Sequence, residues 1–124
     1  MERRILLVVD DEAQLGQMLS ETFASRYDVL VAESAEQAIN KAVLDHPHCI
    51  LMDVMMPEMG GFLLCELFKS ITQTKSIPII LMSAKPRELV SSVAKEMGAF
   101  DYIEKPFSME EIVKVVEAAM EHAA

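Results

Sequence analysis

Short runs of consecutive apolar residues alternate along this chain with longer segments in which apolar positions recur every three or four residues. The runs Arg4 to Val9, Val29 to Ala32, Cys49 to Met52, Ile77 to Met82 and Phe100 to Ile103 each predict a strand. Runs apolar at successive positions, rather than at alternate ones, suit strands covered on both faces, as in a parallel sheet flanked by helices.

The intervening segments predict five helices. Leu15, Met18, Leu19 and Phe23 fall on one face of a first helix over about Glu12 to Ser25. Ser34 and Gln37 form a capping box for a second, whose stripe of Ala35, Ala38, Ile39, Ala42 and Val43 runs to about Asp45, before Pro47. Gly60 and Gly61 precede a third over about Phe62 to Ile71, with Leu64, Cys65, Leu67 and Phe68 as its apolar residues. A fourth follows Pro86, with Leu89, Val90, Val93 and Met97 turned inward and Gly98 as its stop. Ser108 and Glu111 cap a fifth, whose Ile112, Val115, Val116 and Ala119 face the sheet.

Five strand-helix units without a long linker or repeat predict a three-layer α/β fold, an open doubly wound (βα)5 sheet; a closed barrel needs about eight units. Right-handed crossovers put helices on both faces. With strand order 2-1-3-4-5, function gathers beyond the carboxyl ends of the strands where the order reverses. The length of 124 residues suits a single domain over 1–124.

Composition narrows the partners. Hydrophobic residues make up 52% and charged residues 25%, with a formal net charge of −9 and no lysine or arginine cluster, so nucleic acid and anionic membrane are poor partners. Arg3 and Arg4 before Ile5 to Val9 imitate a signal peptide, but that apolar run is too short and ends at Asp10, Asp11 and Glu12. No stretch reaches the length of a membrane span, and cytoplasm is the expected compartment. Cys49 and Cys65 lack metal or redox spacing and are expected as reduced core thiols. Met18, Met52, Met82 and Met97 are expected to fill core, leaving Met55, Met56 and Met59 near the functional edge. His46, His48 and His122 match no triad or metal spacing, and His122 is placed to complement a helix dipole.

The polar residues at the strand ends carry the chemistry. The first strand ends at Asp10 and Asp11, the third at Asp53, the fourth at Ser83, and the fifth leads within two residues to Lys105. Singly, Asp11 could cap a helix, Ser83 end a strand and Lys105 lie in solvent. Together, three carboxylates crowded at one switch point repel each other unless a cation neutralises them. Hard oxygens without cysteine or histidine favour magnesium, and the acidic spacing does not follow the twelve-residue calcium loop. Asp53 is then a candidate nucleophile for phosphoryl transfer, with Lys105 neutralising equatorial oxygens and the Ser83 hydroxyl bonding one of them.

VVDDE at the N-terminus, ILMDVMMPEMGG around Asp53, LMSA around Ser83 and DYIEKPF around Lys105 together resemble the receiver domains of two-component response regulators, over essentially the whole chain. The resemblance implies a phosphoaccepting signalling domain, not an enzyme turning over an external substrate. It makes Asp53 the phosphorylated residue. Asp10, Asp11, Asp53 and the backbone carbonyl of Met55 become the magnesium site, with Asp10 acting mainly through water. Lys105 contacts the phosphoryl group, and the Lys105–Pro106 bond is expected to be cis. Ser83 and Tyr102 are implied as switch residues: the hydroxyl moves to the phosphoryl oxygens, the ring turns inward, and the surface of the fourth helix, fifth strand and fifth helix changes. The alternative for Tyr102 is a half-buried ring with a wet hydroxyl. The implied partners are a sensor histidine kinase or phosphotransfer protein and a downstream protein or output domain, with dimerisation once phosphorylated.

Met55, two residues after Asp53, cannot orient an attacking water through its side chain, which predicts slow loss of phosphate. A haloacid-dehalogenase-type hydrolase would need a second aspartate at that position. A flavin or nucleotide binder would need a glycine- or hydroxyl-rich loop where Asp10, Asp11 and Glu12 stand. An interaction-only domain would lack one of the acidic residues or the lysine, and all are present. Pro57, Gly60 and Gly61 are expected to shape the loop after the third strand.

Overall fold

A computed structural model of the chain describes residues 3–55 and 59–123. The expectations placed on Met56 and Pro57 lie outside the described residues.

The elements run β1 (Ile5–Val9), α1 (Ala13–Phe23), β2 (Asp28–Ala32), α2 (Ala35–Asp45), β3 (Cys49–Asp53), α3 (Gly61–Ser70), β4 (Ile79–Ser83), α4 (Arg87–Glu96), β5 (Asp101–Glu104) and α5 (Met109–His122). The strands form one parallel sheet in the order β2-β1-β3-β4-β5. This is the predicted doubly wound architecture. Strands β1 and β3 are paired neighbours although α1, β2 and α2 separate them in sequence, so the chain reverses direction across the sheet between them.

The sheet buries both faces. Leu7, Val9, Ile50, Met52, Ile79 and Leu81 face one apolar layer with Ala38 and Ala42 of α2, Leu64 and Phe68 of α3, and Val90 and Ala94 of α4. Leu6, Val8, Leu51, Ile80, Met82 and Ile103 face the other, with Leu19 and Phe23 of α1 and Ile112, Val116 and Ala119 of α5. This two-sided burial is the physical reason the strands read as continuous apolar runs. Cys49 and Cys65 are free and buried, as expected.

Local sequence sets the boundaries. The Ser34 hydroxyl accepts a bond from Gln37 N–H and Ser108 from Glu111 N–H, the two predicted caps. The Gln37 side chain accepts from Glu33 N–H, one residue upstream of a standard capping box. Gly98 follows α4 with φ +89°, the left-handed region that favours glycine. His46 takes the same region (φ 49°) at the end of α2, where its N–H bonds Ala42 O. Strand β4 starts at Ile79, not Ile77, because Ile77 spends its N–H on Thr74 O in the preceding turn and Pro78 has none to give.

Two faces differ from expectation. In α4, Val90 and Ala94 are buried and Met97 is partly buried, whereas Leu89 is 72% exposed and Val93 38%. Leu89–Val93 and Val90–Ala94–Met97 are adjacent stripes of similar apolarity, and the stripe containing the small Ala94 is the one that packs. In α1, Gly16, Leu19 and Phe23 turn inward and Met18 is 41% exposed, so it does not fill core. Gly16 sits where an added Cβ would come within 3.2 Å of Val31 Cγ1, bringing α1 close to β2.

Both outer strands carry side chains on their free edges. Lys41 Nζ donates to Val31 O of β2 at 2.7 Å. On β5, Lys105 N–H bonds Ser83 O while the Tyr102 backbone turns outward, its N–H bonded by Asp101 Oδ1 and its carbonyl by the Arg87 guanidinium. Arg87 also approaches Asp101 at 3.5 Å, and its backbone N–H bonds Glu104 Oε1, tying the first turn of α4 to the sheet edge.

Candidate functional site

The carboxyl ends of β1, β3 and β4 deliver the predicted polar residues to one rim. Asp10 follows β1, held by its N–H bonded to Ala32 O and by its Oδ1, which accepts from Glu12 N–H at 2.8 Å at the entry to α1. Asp11 beside it is exposed. Asp53 is the last residue of β3 and is 3% exposed. Asp10, Asp11 and Asp53 each offer a carboxylate oxygen, and these oxygens lie within 4.8 Å of one another.

Asp53 is gripped from two sides. Its Oδ1 accepts from Met55 N–H at 2.8 Å and its Oδ2 from Lys105 Nζ at 2.8 Å. Lys105 arrives from the loop after β5, its backbone N–H bonded to Ser83 O, and the Lys105–Pro106 peptide is cis as expected. The ammonium also lies 4.0 Å from Asp10 Oδ2. Burial lowers the Lys105 pKa, but the hydrogen bond and charge of Asp53, with the charge of Asp10, outweigh it and raise the pKa overall.

Asp10 is the discordant member. It is fully buried, and its Oδ2 has no hydrogen-bond partner among the described residues. Burial pushes its pKa from 3.8 to about 6; the Glu12 N–H works against that rise, Asp53 adds to it, and Lys105 again opposes it. Three clustered carboxylates, two of them paired with the same lysine, are short of positive charge. An orphaned buried oxygen and an all-oxygen donor set fit a hard cation.

Ser83 closes β4 at 1% exposure, on the strand next to β3 and one residue beyond the Asp53 partner Met82. Its Oγ accepts from Lys85 N–H at 3.1 Å, and the Lys85 carbonyl accepts from the Tyr102 hydroxyl at 2.6 Å. The Lys85 peptide therefore links the serine to the tyrosine. Tyr102 is 2% exposed, so its ring is inward and its hydroxyl bonded; the wet, half-buried arrangement does not occur. Met55 is 60% exposed, and its backbone reaches the site through the N–H on Asp53.

The sequence model of the response regulator receiver domain family matches residues 6–117. The chain belongs to that family. This receiver domain is 34% identical over 120 residues to the alkaline phosphatase synthesis transcriptional regulatory protein PhoP of Bacillus subtilis, a match covering 97% of this chain and 49% of that protein. It is 37% identical over 121 residues to the phosphate regulon transcriptional regulatory protein PhoB of Pseudomonas aeruginosa, covering 97% and 53%. The domain thus spans about half the length of these relatives. The structure of the chemotaxis protein CheY4 of Vibrio cholerae superimposes with a TM-score of 0.88 at 29% identity, over 94% of this chain and 98% of that one.

Reading the sequence missed several contributors. Arg87 and Glu104 were given no place, because nothing in their spacing shows that α4 begins against the β5 edge. Lys85 acts through its backbone, which no side-chain pattern reveals. No helix among the described residues is long and apolar enough to cross a membrane.

Proposed function

We propose that this receiver domain takes a phosphoryl group onto Asp53 and that the resulting charge is read at Ser83, Tyr102 and the α4-β5-α5 surface. The observation that carries this reading is the grip on Asp53 by Lys105 and Met55 N–H, beside a buried Asp10 oxygen with no partner among the described residues.

Asp10, Asp11, Asp53 and the Met55 carbonyl are the groups that would hold magnesium, which supplies neutralisation of the carboxylates and of phosphoryl oxygens when bound. The rest is the chain's own work. The Met55 N–H and the Lys105 ammonium fix the Asp53 carboxylate, so one oxygen faces an incoming phosphorus without reorganising. A carboxylate oxygen forms the new P–O bond as the P–N bond to the donor's histidine breaks and the imidazole departs. Lys105, held protonated by its acidic neighbours, offsets charge on the equatorial oxygens. The Ser83 hydroxyl accepts from Lys85 and keeps its own proton for a phosphoryl oxygen.

Moving Ser83 toward that oxygen acts on the Lys85 peptide and, through its carbonyl, on Tyr102, so a local charge biases the start of α4. The exposed Leu89 and Val93 belong to the surface so altered. The domain works as a single unit over 1–124 in the cytoplasm. It receives phosphate from a sensor histidine kinase or phosphotransfer protein and passes the state to a downstream protein or output domain, with dimerisation as one outcome. It does not use nucleic acid or membrane directly, and it makes and loses its own phosphate without turning over an external substrate.

Acetyl phosphate with magnesium, followed by intact-mass measurement, tests the assignment. The wild-type chain gains one phosphoryl group and Asp53→Asn gains none; equal labelling of both would overturn the site.

A further inference from the structure

We propose that Gly61 is a positioning residue for Asp53: the absence of a side chain at the first position of α3 sets where the carboxylate and the Met55 N–H sit. The proposal rests on the reading of Asp53 as phosphoacceptor and adds a residue to that site.

A Cβ placed on Gly61 would lie 2.6 Å from Val54 Cα and 2.7 Å from Asp53 O, with Asp53 C at 3.2 Å. All three are backbone atoms, so no side chain can swing aside. Gly61 N–H also donates to Val54 O at 2.7 Å, so α3 starts in direct contact with the peptide that follows the acceptor.

A larger residue forces one side of this contact to move. Helix α3 is anchored by Leu64, Cys65 and Phe68, each fully buried in the layer it shares with β3 and β4, and a close-packed core yields little. The other side is the end of β3, where Asp53 and Val54 are themselves buried but lead, one residue on, into a loop in which Met55 is 60% exposed. The rim therefore gives way. The atoms displaced are those that orient Asp53 Oδ1 toward Met55 N–H and place the Met55 carbonyl.

The neighbouring glycine is a built-in control. A Cβ on Gly60 meets nothing closer than Val54 O at 3.8 Å, ordinary contact, and its φ of −62° suits alanine. Gly16 supplies a second control remote from the rim, where alanine would press on a side chain, Val31 Cγ1 at 3.2 Å.

The experiment compares Gly61→Ala, Gly60→Ala and Gly16→Ala with wild type in three readouts: urea midpoint, magnesium affinity, and the metal-free amide shift of Met55, which reports its bond to Asp53. Gly61→Ala is expected to stay folded, to move the Met55 amide, to bind magnesium about tenfold more weakly and to take up phosphate from acetyl phosphate about 100-fold more slowly, the scale of a displacement near 1 Å. Gly60→Ala and Gly16→Ala leave the amide and the magnesium affinity at wild-type values, even where Gly16→Ala lowers the urea midpoint as much. Gly61→Ala with an unmoved Met55 amide and wild-type affinity overturns the proposal. So does a Gly61→Ala chain that cannot fold, because α3 and not the rim would then have yielded. Failure of the wild type to bind magnesium or take up phosphate tells against the functional reading instead, while the metal-free amide comparison still decides the role of Gly61.

Discussion

The two rims of the sheet treat charge in opposite ways. At the amino-terminal rim every described arginine has an outlet: Arg3 donates to Tyr27 O and Ala24 O and pairs with Asp28. Arg4 donates to Met120 O and Ala123 O at the end of α5, and Arg26 pairs with Glu117. At the carboxyl-terminal rim Asp10, Asp11 and Asp53 cluster around one lysine that pairs with only Asp10 and Asp53, and a fully buried oxygen of Asp10 has no described partner. The first rim is built to hold helix ends in place. The second keeps a deficit of positive charge inside a stable frame, the arrangement expected where chemistry supplies the missing charge.

Titration should show the contrast most strongly. With the Asp10 pKa raised from 3.8 to about 6 in the folded chain, the fold holds a proton that the unfolded chain releases between those values. The contribution of this group to metal-free stability is therefore fully present below about pH 4 and is lost as pH rises through about 6, a change on the order of 3 kcal/mol. Urea midpoints at both ends of that window check it. Asp10→Asn should flatten the slope and raise stability at neutral pH.

Magnesium should reverse the loss. At about 100 times its dissociation constant it adds roughly 2.7 kcal/mol to folding, read as a rise in Tm that EDTA abolishes and that Asp53→Asn weakens. Next in size is the lifetime of the phosphorylated state. Met55→Asn, which gives a water a hydrogen-bond partner beside Asp53, should shorten it by about tenfold, the worth of one such bond; an unchanged lifetime removes Met55 from the account of slow loss. The smallest effect belongs to the amino-terminal rim. Arg4→Ala should cost about 1 kcal/mol in stability and leave magnesium affinity unchanged, which would separate the two rims functionally.

The carboxyl-terminal half of this contrast is legible in the residues, and the arginine pairings of the other rim are not. Consecutive apolar runs fixed the strands because both faces of the sheet are covered, and five acidic, hydroxyl and amine positions followed from the ends of those runs. The face of α4 was not legible, because two adjacent stripes there have similar apolarity and the choice turns on the size of Ala94. Gly60 and Gly61 were legible as loop-shaping residues, but not what sets Gly61 apart, since a close approach between backbones leaves no trace in an apolar pattern. The links through the Lys85 peptide and from Arg87 to the outer carbonyl of Tyr102 are likewise backbone contacts that spacing cannot encode.

The side chains on β2 and β5 reach beyond the single molecule. An open five-stranded sheet offers two margins on which further copies could stack into ribbons, yet at each margin a lysine or arginine already occupies a carbonyl that an added strand would need. Crowded at high concentration, such molecules resist growing into fibres.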